Sequence, residues 1–292
     1  MKIKLHDMVI AKLKLLQYCL LATGIGLIAI HLNLVWKSNN SSLLGTSILF
    51  WTAIGFLIWE KRNDLNLESD IFSSFFGFSL IALLLLKSAS MTSFGGFLYL
   101  SPFVYAFACA LLASGFKGLR QYAGELFALF ILGLPKLLPL SLINTFLSPI
   151  TAKLSAFLLW YTGFDVLRSG VYIHLPSANQ SIEVASGCSG SEQILHMLGL
   201  GILFIIIFPL NRLPKIFLPI VAAIIGFVVN AARVALMVVI LKGDNQEAFE
   251  YWHHGDGSLL FSTIAVSVFG LFCWFILGQD KSKNGDVTPS SK

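Results

Sequence analysis

Charge is what this sequence has least of. Only 12% of its 292 residues are Asp, Glu, Lys or Arg, against about 25% in an average soluble domain. So few charges cannot cover a chain of this size in water, which excludes soluble enzymes and soluble binding modules. No hydrophilic stretch reaches domain length either. What fills the chain is apolar: 56% hydrophobic residues, 25 of them Phe, and a mean hydropathy of +0.80. The fold class this implies is an all-α polytopic membrane protein. It forms a single integral membrane domain over 1–280, followed by a polar, disordered cytoplasmic tail at 281–292. The net charge of +5 suits loops that orient a membrane chain, not a nucleic-acid surface.

Cysteine is also scarce, with four residues: Cys19, Cys109, Cys188 and Cys273. Their spacing matches neither a disulfide framework nor a zinc site. The histidines His6, His31, His174 and His196 are dispersed, so no metal and no cofactor is expected. Three of the cysteines lie in apolar runs, where the ordinary role is a small core hydrophobe. Cys188 stands apart, with Gly187, Ser189 and Gly190 as neighbours.

A spanning helix needs about 20 mostly apolar residues. That window selects eight spans near 17–36, 42–59, 71–87, 97–115, 121–141, 189–208, 215–241 and 258–278. Residues 1–14 are basic, and the apolar run behind them lacks a cleavage site, so it reads as a retained first span. Lys2, Lys4, Lys12 and Lys14 set the N-terminus on the cytoplasmic side. Lys61 and Arg62, Lys117 and Arg120, Arg212 and Lys215, and Lys281 and Lys283 then all fall on that side. A ninth crossing at 143–164 would invert the last two clusters. That segment also carries Pro149 and Lys153, so it reads as an interfacial or re-entrant helix. Pro135 and Pro139 kink or end the fifth span. The long outer loop holds two β-prone runs, 171–175 and 181–185, flanking a turn-rich segment, which predicts a small extracytoplasmic hairpin leading to Cys188.

Three polar groups then fall at the outer ends of three spans. Cys188 opens the sixth, with Ser186 or Ser189 to cap it and N–H groups to favour a thiolate and hold an oxyanion. Its flanking glycines, Gly190 among them, let a substrate backbone approach closely. Arg233 lies in an apolar run with Asn230 one turn earlier on the same face. It sits eighteen residues beyond Lys215, about 27 Å along the helix at roughly 1.5 Å per residue, near the outer boundary. An ordinary reading is an Arg reaching the headgroups; the Asn on its face argues for an inward polar stripe. His253 and His254 precede the last span, and the residues alone do not choose between them as general base. Trp252 and Tyr251 read as interfacial belt aromatics, and Glu192 and Gln193 as groups that orient the imidazole. Thiol, base and cation together make a complete set for acyl transfer. The competing readings are a small-molecule transporter and a non-catalytic polysaccharide-export or assembly partner. A transporter places polar groups near the midplane and in both halves; here they gather at one rim.

Cys188-Ser189-Gly190, Asn230-x-x-Arg233 and His253-x-x-x-Gly257, in that order over a core of about 165–265, resemble the exosortase/archaeosortase family of membrane cysteine transpeptidases. Gly187 departs from the Ala that many members carry, and the 255–258 run resembles a cyanobacterial side branch. The resemblance selects His253 over His254, because only His253 has Gly four residues on. It implies Cys188 as nucleophile, His253 as base and acid, and Arg233 as oxyanion or substrate binder, with Ser189, Gly190, Asn230, His254 and Gly257 in support. The implied partners are membrane lipid and secreted proteins with a C-terminal sorting signal: a short motif such as Pro-Glu-Pro, a membrane helix and a basic tail. The implied reaction is cleavage near that motif at the periplasmic face of the bacterial plasma membrane, with water or an amine as acceptor.

Overall fold

The structure is a computed structural model describing residues 2–90, 95–178, 180–208, 210, 212–243, 245–253 and 256–285. Apart from one small sheet it is helical, as the hydropathy dictates. Among the described residues, eight helical stretches are long and apolar enough to cross a membrane. The chain divides into two compact units, 1–137 and 138–292.

The first unit holds α1 (Lys2–Lys37), α2 (Ser41–Glu60), α3 (Ile71–Ser90), α4 (Phe97–Gly118) and α5 (Ala123–Leu137). α4 packs against α1, α3 and α5. The α4–α5 pair is a hairpin around a short 3-10 turn at Leu119–Tyr122. Gly133 lies so close to the Tyr99 carbonyl and Leu100 that a Cβ there would come within 2.8 Å of Leu100. The two spans expected at 97–115 and 121–141 are thus the arms of one continuous helical stretch, Phe97–Leu137. Near the turn, Lys61 pairs with the buried Glu125 at 2.7 Å.

The second unit starts with α6 (Leu140–Tyr161). This is the segment expected to lie at the interface or re-enter. α6 has 22 residues and is long and apolar enough to cross. Pro149 lies inside it without ending it, and Lys153 is exposed. The residues that soften its hydropathy, Asn144, Ser148, Thr151 and Ser155, are buried against the rest of the unit.

A meander follows: β1 (Leu167–Ser169), β2 (Tyr172–Leu175) and β3 (Gln180–Glu183), antiparallel in the order β1-β2-β3. β2 and β3 form the expected hairpin, with Ile173 opposite Ile182; β1 is additional. Ile173, Leu175 and Val184 turn into a core shared with Ala152, Leu159, Val234 and Val238, the period-2 alternation of a one-sided sheet.

The remaining helices are α7 (Ser191–Ile207), α8 (Arg212–Lys242), α9 (Gln246–His253) and α10 (Asp256–Gly285). α7 and α8 are antiparallel and close. A Cβ at Gly201 would fall 2.9 Å from Pro219, and one at Gly226 would fall 2.9 Å from Met197. Small residues at such crossings let helix backbones approach in lipid. α10 closes the unit, setting Ala265, Phe269 and Cys273 against Met197, Leu218 and Ala222. It runs on to Gly285, into the segment expected as a disordered tail; no Pro or Gly interrupts 279–284.

Candidate active site

The chain leaves β3 through a tight bend, the Ala185 N–H donating to the Glu183 carbonyl at 3.0 Å. Ser186–Cys188 is a 3-10 turn in which the Cys188 N–H donates to Ala185 O at 2.9 Å. Gly190 follows at φ 90°, in the left-handed region. A side chain there would also strike Asn230, whose Nδ2 lies 2.7 Å from the ideal Cβ position. Two constraints therefore select glycine at this position. Cys188 thus precedes α7, at the start of the apolar stretch Ser186–Ile207. Gly190 takes the N-cap place expected of Ser186 or Ser189.

Cys188 is buried at 9% exposure, yet Ala185, Ser186 and Gly187 just before it are exposed. A methyl group on Gly187 would meet no atom within 4 Å. The Ala expected there by resemblance fits equally well, and the departure changes no packing.

His253 is the last residue of α9, a helix begun by Asn245, whose side chain accepts from the Ala248 N–H at 2.9 Å. Its Nε2 lies 3.3 Å from the Cys188 sulfur, across 65 residues of sequence. The Phe249 ring, one turn back, tilts against the imidazole at 5.1 Å. His254 lies outside the described residues.

Arg233 projects from α8 to the end of α9. Its Nε donates to Trp252 O at 3.3 Å, and its Nη2 donates to His253 O. The final carbonyls of a helix have no intrahelical partners and carry partial negative charge. A guanidinium with two parallel donors satisfies both requirements. Arg233 and Cys188 are also within electrostatic reach of each other. Asn230, one turn before Arg233, donates from Nδ2 to the Cys188 carbonyl at 3.0 Å. The Asn-x-x-Arg spacing therefore lets one face of α8 hold both partners, the cysteine by its carbonyl and the histidine by its helix end.

Gly257 opens α10 under the Trp252 and Tyr251 rings; a Cβ there would lie 2.7 Å from Trp252. Trp252 also meets Phe261 edge-on at 5.9 Å. It is a packed, half-buried ring, whereas Tyr251 is 51% exposed. Gln193 does not reach His253; it accepts from Ser262 of α10 at 3.3 Å.

Sequence reading missed the contribution of α6. Ser189, fully buried, donates from its hydroxyl to Asn144 Oδ1 at 2.8 Å. The Ser189 carbonyl accepts from Thr151 at 2.7 Å, and the Ala231 carbonyl accepts from Ser155 at 2.9 Å. The signal was present: polar residues at 144, 148, 151 and 155 follow one helical face. Among the described residues no three His, Cys, Asp or Glu side chains gather as a metal site.

No curated protein and no solved structure matches the chain. A family model described as transmembrane exosortase matches residues 36–270. With its apolar helices and this match over most of its length, the chain is a multi-pass membrane protein of the transmembrane exosortase family.

Proposed function

We propose that the protein is a cysteine transpeptidase of the membrane, with Cys188 as nucleophile and His253 as proton carrier. The observation that carries this reading is the 3.3 Å contact between the Cys188 sulfur and His253 Nε2. Nucleophile and base within hydrogen-bond reach, the base held by a third group, is the arrangement covalent acyl transfer requires.

The thiol passes its proton to Nε2, and the thiolate adds to the scissile carbonyl. Negative charge develops on the carbonyl oxygen. The Gly190 N–H, which has no acceptor among the described residues, and the remaining N–H groups of Arg233 are the donors for it. The tetrahedral adduct collapses, the C–N bond breaks, and His253 protonates the departing amine. A thioester on Cys188 remains. Water or an amine then attacks it, giving up a proton to the imidazole and restoring the thiol.

Family membership supports a substrate class: secreted proteins whose C-terminal sorting signal joins a short motif to a membrane helix and a basic tail. Basic clusters at Lys61–Arg62, Lys117–Arg120 and Arg212–Lys215 support a cytoplasmic side for those turns. The site then faces the periplasmic side of the plasma membrane, where the short motif emerges above its own helix.

The test is co-expression of a tagged sorting-signal protein with wild type or Cys188→Ala. The variant should accumulate unprocessed substrate while its own membrane abundance stays normal. Undiminished processing by Cys188→Ala removes the reading.

A further inference from the structure

Hydroxyls inside helices usually bond back to a carbonyl of their own helix. On α6, Thr145 does so, donating to Ser141 O at 2.9 Å. Thr151 and Ser155 do not. Thr151 donates across to Ser189 O at 2.7 Å, and Ser155 to Ala231 O at 2.9 Å. Both side chains are 0% exposed. Asn144, on the same face, accepts the Ser189 hydroxyl at 2.8 Å. The acceptors are not scattered. One carbonyl belongs to the residue after Cys188, and the other lies between Asn230 and Arg233.

The consequence is geometric. Asn230 fixes the Cys188 carbonyl from α8, and Thr151 fixes the next carbonyl from α6. Two consecutive peptide planes behind the thiol are pinned from two helices. The peptide bonds are trans, so each N–H points opposite the preceding C=O. Holding Ser189 C=O toward α6 turns the Gly190 N–H away from α6. Left without Thr151, that plane has only the φ 90° glycine beside it, the least restrained backbone in the turn.

We infer that α6 is a positioning element of the active site: Thr151, with Asn144 and Ser155 beside it, sets the Cys188 turn and the Asn230–Arg233 segment in register for reaction. This rests on the proposed cysteine chemistry only for its effect on turnover; the effect on the cysteine itself is independent of it. A misplacement of about 1 Å at a reacting group can cost ~10²-fold in rate.

The experiment uses the full-length protein in membranes, with Thr151→Val (same shape, no hydroxyl), Thr151→Ser (hydroxyl kept) and Ser148→Ala. Ser148 shares the buried face but holds neither motif carbonyl. Two quantities are read: processing rate at saturating and limiting substrate, and the rate at which iodoacetamide alkylates Cys188, followed on its own peptide by mass spectrometry. Thr151→Val should lower saturated turnover by about ten-fold or more, leave the substrate concentration for half-maximal rate unchanged, and slow alkylation several-fold. Thr151→Ser should recover both, and Ser148→Ala should match wild type. The inference is overturned if Thr151→Val alkylates and processes like wild type. It is equally overturned if Thr151→Ser is as impaired as Thr151→Val, or if Ser148→Ala is as impaired, since the effect would then be general packing. Should Cys188→Ala still process substrate, the transpeptidase reading fails alone, and the alkylation rates still decide the role of Thr151.

Discussion

Two histidines, one in each unit, show how differently the same side chain is used. His31 in α1 is fully buried. Its Nδ1 meets Ser101 Oγ of α4 at 3.1 Å and its Nε2 meets Ser47 Oγ of α2 at 3.2 Å. The Ser101 hydroxyl already gives its proton to Leu98 O at 3.2 Å. It must therefore accept from Nδ1–H, which leaves Nε2 to accept from Ser47. Both ring nitrogens are consumed by hydroxyls that have no further use for a proton, and three helices are fastened together. His253 ends a short helix, half-buried, with Nε2 beside a thiol. There the partner can change protonation state. A histidine among apolar spans becomes structural when its partners are hydroxyls of packed helices. In the proposed chemistry it becomes a proton carrier because its partner is the Cys188 thiol beside an exposed backbone.

The contrast breaks first at His253. His253→Gln keeps a polar side chain but cannot shuttle a proton. General acid–base groups contribute about 10²–10⁴-fold, so processing per molecule should fall within that range. Membrane abundance on immunoblots should hold. A His253→Gln enzyme as fast as wild type would place His253 in the same class as His31.

Arg233→Lys comes next. Lysine keeps the charge but not the rigid fork that reaches the Trp252 and His253 carbonyls together. If Arg233 acts by holding the end of α9 and lending its other donors, the loss should be about 10²-fold, the scale of one lost oxyanion donor. Kinetics at saturating substrate measure it. Full activity in the lysine variant would mean that charge alone matters and that the carbonyl contacts are incidental.

Those two residues stand out in the sequence as polar anomalies at the ends of apolar runs, although only the resemblance, and not the residues alone, separated His253 from His254. Cys188 among small residues, Asn230 and Arg233 at helical spacing, and His253 beside Gly257 all stood out. The apolar stretches were legible from hydropathy, though 97–115 and 121–141 join into one and 140–161 adds another. The polar stripe of α6 was overlooked because the signals weighed there, Pro149, Lys153 and loop charges, concern lipid and water. They say nothing about a polar stripe directed inward at another segment. Thr151 looks like any helical threonine until the carbonyl it reaches is known, and that carbonyl lies 38 residues away. β1 escaped for a related reason: its three residues pair only because β2 is there to receive them. Cys188 was expected at the start of the sixth span and lies there, but the left-handed backbone at Gly190 that separates it from α7 is a detail hydropathy does not carry.

The smallest chemical effect should come from His31→Leu, which sharpens the contrast from the other side. Replacing the ring takes the acceptor from the Ser47 hydroxyl and a donor from the Ser101 oxygen, but Ser101 keeps its bond to Leu98 O and Ser47 can turn back to its own helix. The penalty should therefore fall toward the low end of the roughly 1–3 kcal/mol expected for a buried unsatisfied group. It should appear as a lower thermal midpoint in detergent and as reduced abundance, with processing per folded molecule unchanged. Cys188 and His253 both belong to the second unit and His31 to the first, so stability and chemistry should separate in this variant. If His31→Leu slowed turnover as strongly as His253→Gln while remaining folded, the division between a structural histidine and a chemical one would collapse. The buried ring of the first unit would then belong to the working apparatus of the enzyme.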